Sequence, residues 1–336
     1  MKKIGFGVLV LLFLALGAAS SWLLREGFLI VKGQSPKDRE ASLKTPAPSE
    51  LSSTTSKREA AKHAFEQGQY TEALSLAKEL AAKGDAPAHT LIAQIYEGGL
   101  GVSKDESTAA QWYAKAAELG DASAMLTYGN MLAEGKGIKK DRVAAGHMYE
   151  KAAATGDPVS NYNLGMLFLT GDGKPENPHR AAQHIQYAAE KGIAQAQYDL
   201  AELYQKGLGL PQNAVEAARW MSKAAKQGLM AAEYEYAVML LRGFGLKEDE
   251  TQAVPLLTSS ANKGVPVAQN RLAYVYLEGV GTPKSLTEAA KWRLLAKSAG
   301  VVDDKLDGML KKLSPKEKAA AQKAAHEWQD KKTFLQ

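Results

Sequence analysis

The six histidines, His63, His89, His147, His179, His184 and His326, are the side chains of this 336-residue chain best suited to proton transfer or metal ligation near neutral pH. None stands in an HExxH or Cys/His metal pattern. His179 and His184 are five residues apart, a poor step for sharing one helical face. Cysteine is absent, which excludes disulfides, thiol nucleophiles, Cys-based zinc sites and an N-terminal lipoprotein anchor. Gly-x-Gly segments recur, but they never extend to GxGxxG or to a P-loop, and they follow helical rather than strand-like patterns. No Ser/His/Asp set or carboxylate pair clusters or repeats. The sequence therefore predicts no catalytic residue, no metal ligand and no cofactor.

What recurs is spacing. Gly-x-Gly falls at Gly99/Gly101, Gly135/Gly137, Gly171/Gly173, Gly207/Gly209, Gly243/Gly245 and Gly279/Gly281, in steps of 36 residues. A further glycine keeps the same step at Gly120, Gly156, Gly192, Gly228, Gly264 and Gly300. A fixed period of this length marks a solenoid whose units stack on their neighbours. Within one unit, Ala88, Ile92, Ala93 and Tyr96 form an apolar stripe at helical spacing, and Gly99 ends that helix as a left-handed cap. A second helix opens at Asp105, whose counterparts Asp141, Asn177, Asn213, Asp249 and Ser285 all have side chains suited to an N-cap. Ala109 heads a column of alanines at Ala145, Ala181, Ala217, Ala253 and Ala289, where only a methyl group fits between paired helices. Trp112, Trp220 and Trp292 supply large burial, and His184 falls in the same column and reads as a packing residue. Pro255, six residues past its cap, predicts a local irregularity over 250–256.

Residues 58–84 read as a shorter leading unit with a tighter connector near Gly68. Ser314-Pro315-x-Glu317 is a capping box that opens a final helix over the end of the array. Leu164-Gly165-x-x-Phe168-x-x-Gly171-x-Gly173, followed by Ala181 and Ala188-Ala189-x-x-Gly192, resembles a Sel1-like repeat, a relative of the tetratricopeptide repeat. Leu200-Ala201-x-x-Tyr204-x-x-Gly207-Leu-Gly209 and Lys223-Ala224-Ala225-x-x-Gly228 match as well. The resemblance implies an all-α fold, an α/α superhelical solenoid acting as a protein-binding adaptor, often exported in bacteria. Some exported members carry a disulfide in each repeat and have been linked to β-lactams. Without cysteine, that chemistry is not carried over.

Lys2 and Lys3 precede an uncharged run from Ile4 to Leu24, long enough to span a bilayer as a helix. Small residues at Gly17-Ala18-Ala19-Ser20 allow a cleaved signal, whereas Trp22, Leu23 and Leu24 favour an uncleaved anchor. The expected placement is the inner membrane, single-pass, with the repeats in the periplasm; with cleavage, the repeats are soluble in the periplasm or secreted. Residues 33–56, rich in Ser, Thr, Pro, Lys and Glu, read as a flexible linker. The expected organisation is 1–32 anchor or signal, 33–56 linker, 57–302 solenoid and 303–336 capping helices. Repeats are expected at about 58–87, 88–123, 124–159, 160–195, 196–231, 232–267 and 268–302. The net charge of +5 lies outside the repeats, because residues 57–300 hold 27 basic and 27 acidic side chains. A basic nucleic-acid-binding face is therefore not expected.

Function is then expected on a surface. In tetratricopeptide-like arrays the first helices line a concave groove, and three outward columns follow from that frame. The first runs Thr90, Leu126, Tyr162, Tyr198, Tyr234, Asn270; the second Gln94, Asn130, Met166, Glu202, Val238, Tyr274; the third Glu97, Ala133, Leu169, Gln205, Leu241, Leu277. Tyr162, Tyr198 and Tyr234 form a ladder that serves either packing between repeats or recognition. With Met166, Glu202, Tyr274 and Leu126 they are the candidate residues for holding a protein or peptide partner. The expected function is a non-catalytic envelope scaffold. The alternative is an exported enzyme or peptidoglycan-binding module on the same fold.

Overall fold

A computed structural model describes residues 48–333, with side-chain surroundings described over 54–331. The chain divides into two units, residues 1–60 and 61–336. Of the first, the described part is helical from Pro48. The anchor or signal over 1–32 and the tether residues 33–47 lie outside the described residues. Among the described residues no helix is long and apolar enough to cross a membrane.

The described residues form sixteen α-helices: α1 (Pro48–Glu66), α2 (Tyr70–Ala81), α3 (Ala86–Gly98), α4 (Glu106–Glu118), α5 (Ala122–Glu134), α6 (Arg142–Ala154), α7 (Pro158–Thr170), α8 (Pro178–Glu190), α9 (Ala194–Lys206), α10 (Ala214–Lys226), α11 (Met230–Arg242), α12 (Glu250–Asn262), α13 (Pro266–Glu278), α14 (Leu286–Ser298), α15 (Asp304–Lys312) and α16 (Pro315–Thr333). From α3 to α14 every helix has 13 residues, and like helices start 36 residues apart. Each first helix packs on its own second helix, and that second helix packs on the next first helix.

The cap column closes as its residue types predict. Asp105, Asp141, Asn177, Asn213, Asp249 and Ser285 each accept a backbone N–H of the following turn. The alanine column is wholly buried: Ala109, Ala145, Ala181, Ala217, Ala253 and Ala289 are all 0% exposed. Facing it, Ala93, Gly129, Gly165, Ala201, Ala237 and Ala273 are buried on the first helices. A Cβ on Gly129 would meet the Tyr149 ring at 2.7 Å, so close approach of the pair limits this column to the smallest residues. Gly209, at φ +77°, lies where a Cβ would overlap the Pro178 carbonyl of the preceding unit.

Two expectations are corrected. Residues 48–56, read as part of a flexible linker, are helical. Pro48 occupies the first helical position, no Pro or Gly follows until Gly68, and the helix-forming run Arg58-Glu59-Ala60-Ala61-Lys62 extends back through the Ser/Thr stretch. The irregularity expected over 250–256 is absent: α12 runs as one helix with the length of its counterparts. Pro255 is exposed in the second turn, and the carbonyl that loses its donor belongs to exposed Thr251, where water can reach it.

The capping box forms: the Ser314 N–H donates to Glu317 Oε2 at 2.9 Å and the Glu317 N–H returns to Ser314 Oγ at 3.3 Å. The helix it opens, α16, buries Ala321 and Ala325 and sets Trp328 edge-on to Trp292 at 6.2 Å. The Trp328 indole N–H donates to Asn262.

Candidate partner-binding face

The first helices α3, α5, α7, α9, α11 and α13 present the three columns side by side. Tyr162, Tyr198 and Tyr234 are half-buried, with rings packed on the core and edges open to solvent. Their hydroxyls differ. Tyr162 donates to Asp199 Oδ2 at 2.8 Å, one unit along, whereas Tyr198 donates to Glu202 Oε1 at 3.1 Å on its own helix. Tyr162 is thus a hydrogen-bonded tie between units, whereas the Tyr198 hydroxyl bonds only within α9. Met166 is half-buried beside Tyr162, and Leu126 packs on the preceding part of the core. Tyr274 donates to Asp303 Oδ1 at 3.0 Å, and Lys305 lies 4.9 Å from its ring centre. At two positions the columns turn inward: Thr90 and Ala133 are buried.

Charge on this face is unevenly spread. Burial raises the carboxyl pKa of Asp199, against hydrogen bonds from Tyr162 and Gln195. Burial and then the nearby Glu202 raise that of Glu235. Glu202 itself pairs with Lys206 at 2.6 Å. Toward the N-terminal end, burial opposes ionisation of Glu97, but hydrogen bonds from Lys136 and Tyr113 prevail and hold its pKa below the ordinary range. The middle of the face is therefore acidic and partly desolvated, a setting that favours cationic or hydrogen-bond-donating groups.

Sequence reasoning missed two sets of polar residues. One is a buried column on the first helices, one position before the tyrosines: His89, Asn161, Gln197, Glu233 and Gln269. Gln197 and Gln269 donate to the carbonyls of Ala189 and Ala261, each at 3.1 Å, in the last turn of the preceding second helix. Glu233 takes Lys263 at 2.7 Å and the Ser259 hydroxyl. The signal was present as a polar residue recurring in 36-residue register beside the apolar stripe, interrupted only by Met125. The other set is the inner second-helix column, where Tyr113 reaches Glu97, Tyr149 reaches Asn130, and Arg293 is fully buried. Arg293 donates to Asp307 Oδ1, Asn270 Oδ1 and the Val301 carbonyl.

The histidines remain dispersed. His184 lies 5.8 Å from Phe168 in a stacked arrangement and hydrogen-bonds Asn161 at 3.0 Å. Burial, then the Arg180 charge, lowers its pKa. Among the described residues no three His, Asp or Glu side chains are grouped to hold a metal ion.

A family model for the Sel1 repeat matches residues 86–121, 122–157, 158–193, 194–229, 231–265 and 266–301. The chain belongs to the Sel1 repeat family. Sel1 repeat proteins are related to tetratricopeptide repeat proteins and are generally non-catalytic scaffolds for protein–protein interaction. Among solved structures, this Sel1 repeat protein is similar to a Sel1 repeat protein from Oxalobacter formigenes, with 28% identity and a TM-score of 0.62, over 74% of this chain and 99% of that one. It is also similar to c5321, described as a protective antigen of uropathogenic Escherichia coli, with 21% identity and a TM-score of 0.46, over 83% of this chain and 84% of that one. A further match is a Sel1 repeat protein from Klebsiella pneumoniae, with 22% identity and a TM-score of 0.38, over 60% of this chain and 98% of that one. Comparison with curated proteins yields no match.

Proposed function

We propose that this Sel1 repeat protein is a non-catalytic scaffold of the bacterial cell envelope that holds a protein or peptide segment along its first helices. The observation that carries this reading is the contrast between columns. The facing small-residue columns headed by Ala93 and Ala109 are near-uniform and buried, whereas the column from Leu126 to Asn270 varies and stays half-open. Tyr198, Tyr234, Met166, Glu202 and Tyr274 offer aromatic and apolar surface flanked by hydrogen-bonding groups, the composition of a recognition surface. Desolvated Asp199 and Glu235 add a preference for a partner segment carrying a basic or donor side chain. The basic start followed by the apolar run 4–24 supports placement in the inner membrane with the repeats on the periplasmic side.

Tyr198→Ala tests the reading. It removes an aromatic contact without cutting a tie between units, so partner affinity is expected to fall about 10-fold, the loss of one modest interface hot spot. Because the ring also packs on the core, some stability is lost as well, so affinity is measured well below the melting transition, where the fold is intact. Tyr162→Phe is the matched control: it breaks the hydrogen bond to Asp199 and should cost about 1 kcal/mol of stability with little loss of affinity. Lowered stability with unchanged affinity in Tyr198→Ala would instead assign the tyrosine to packing.

A further inference from the structure

On the second-helix side of the array, α2, α3 and α4 form an open cleft of about 500 Å³. At three of the five later junctions this gap is bridged by a side chain, while those at Gly120 and Gly264 show no such bond. The Tyr187 hydroxyl donates to the Gly156 carbonyl at 3.1 Å, Gln227 Nε2 to Gly192 at 3.0 Å, and Lys263 Nζ to Gly228 at 3.0 Å. Gln227 also donates to Gln197, and Lys263 to Glu233, so the same side chains cover the buried polar column. In the 36-residue register the corresponding positions over Gly84 are Lys115 and Leu119. Leu119 is 46% exposed, and Lys115 forms none of these bonds. The polar residue left uncovered is His89, whose Nδ1 donates to the Asp85 carbonyl at 2.8 Å.

The walls of this open junction are chemically specific. Trp112 and His89 stand 5.4 Å apart and make an aromatic surface. Lys78, Lys115 and Gln111 line the mouth, and no carboxylate is among the lining side chains. With Nδ1 engaged as a donor, His89 Nε2 is left as an acceptor without a hydrogen-bond partner. We propose that this cleft binds a small planar aromatic carboxylate carrying a ring N–H or O–H. The ring lies on Trp112, the carboxylate meets the ammonium groups of Lys78 and Lys115, and the ring donor points to His89 Nε2. The volume lies within the range of small-molecule pockets, about 300–1,000 Å³. This site is separate from the face of the first helices and does not depend on what binds there.

Indole-3-carboxylate, which has the fused ring, the N–H and the carboxylate, is the probe. Calorimetric titration of the full chain should give one site with Kd below about 1 mM, as expected for a ligand of this size. The double variant Lys78→Ala/Lys115→Ala, changed only at exposed positions, should bind at least about 10-fold more weakly with an unaltered melt. Neutral indole-3-carboxamide should also bind at least about 5-fold more weakly. Leu119→Gln installs the side chain found at position 227, which there bonds Gly192 and Gln197, so in the same register it should compete for His89 Nε2 and weaken binding at least about 5-fold. No binding below about 1 mM, an unchanged Kd in the double-lysine variant, or equal affinity for the carboxamide would overturn the proposal.

Discussion

At the residue scale, one column of side chains holds two kinds of work. Tyr162 links α7 to α9 through Asp199, whereas Tyr198 in the next unit bonds only to Glu202 on its own helix. Their even spacing is plain in the sequence, but nothing in it says which hydroxyl finds a partner one unit along. Arg293 makes the same point more sharply. It stands in a column otherwise occupied by Tyr113, Tyr149, Ile185, Met221 and Leu257, and it is 0% exposed. A guanidinium is tolerated there because Asp307, Asn270 and the Val301 carbonyl converge on it, and one of these, Asp307, lies in the capping segment. Arg293→Met fills similar volume but strips partners from those groups. It should destabilise the array by about 1–3 kcal/mol, measured by chemical denaturation.

At the element scale, helices and caps were largely legible because each cap and glycine acts over a single turn. Asp85, Asp121 and Asp157 nevertheless cap the first helices of three units, where later units have Ile193, Leu229 and Val265, so this column breaks halfway along the chain. Pro255 misled because its cost depends on which carbonyl loses a donor, and that carbonyl belongs to exposed Thr251. The C-terminal cap has its own pH dependence. Hydrogen bonds from Arg293 and Lys297 bring the Asp307 carboxyl down to about 2. Its folded-state value lies below the unfolded one, so its contribution is complete above the unfolded value, about 4, and is lost as pH falls toward 2. Hydrogen exchange should show α15 losing protection over that interval while the central repeats lag behind. Asp307→Asn should remove this step and lower protection already at neutral pH.

At the scale of the whole molecule, the period explains most of the conspicuous residues as architecture. Glycines, caps, alanines and two of the tryptophans, Trp220 and Trp292, all serve the stack, and Trp112 departs from its column because the junction beside it is open. The candidate face was legible only as positions left free by packing. Its acidic centre was legible only as the 36-residue step from Asp199 to Glu235, and the burial that raises both carboxyl pKa values comes from packing that the spacing does not state. Site-specific photocrosslinking in the native cell tests recognition on this face most directly. A benzophenone side chain at position 202 should capture a discrete protein partner. The yield should fall at least about 5-fold when Tyr198→Ala is added, and the same probe at exposed position 226 on α10 should capture none. Equal capture from both positions, or capture only from 226, would contradict the account.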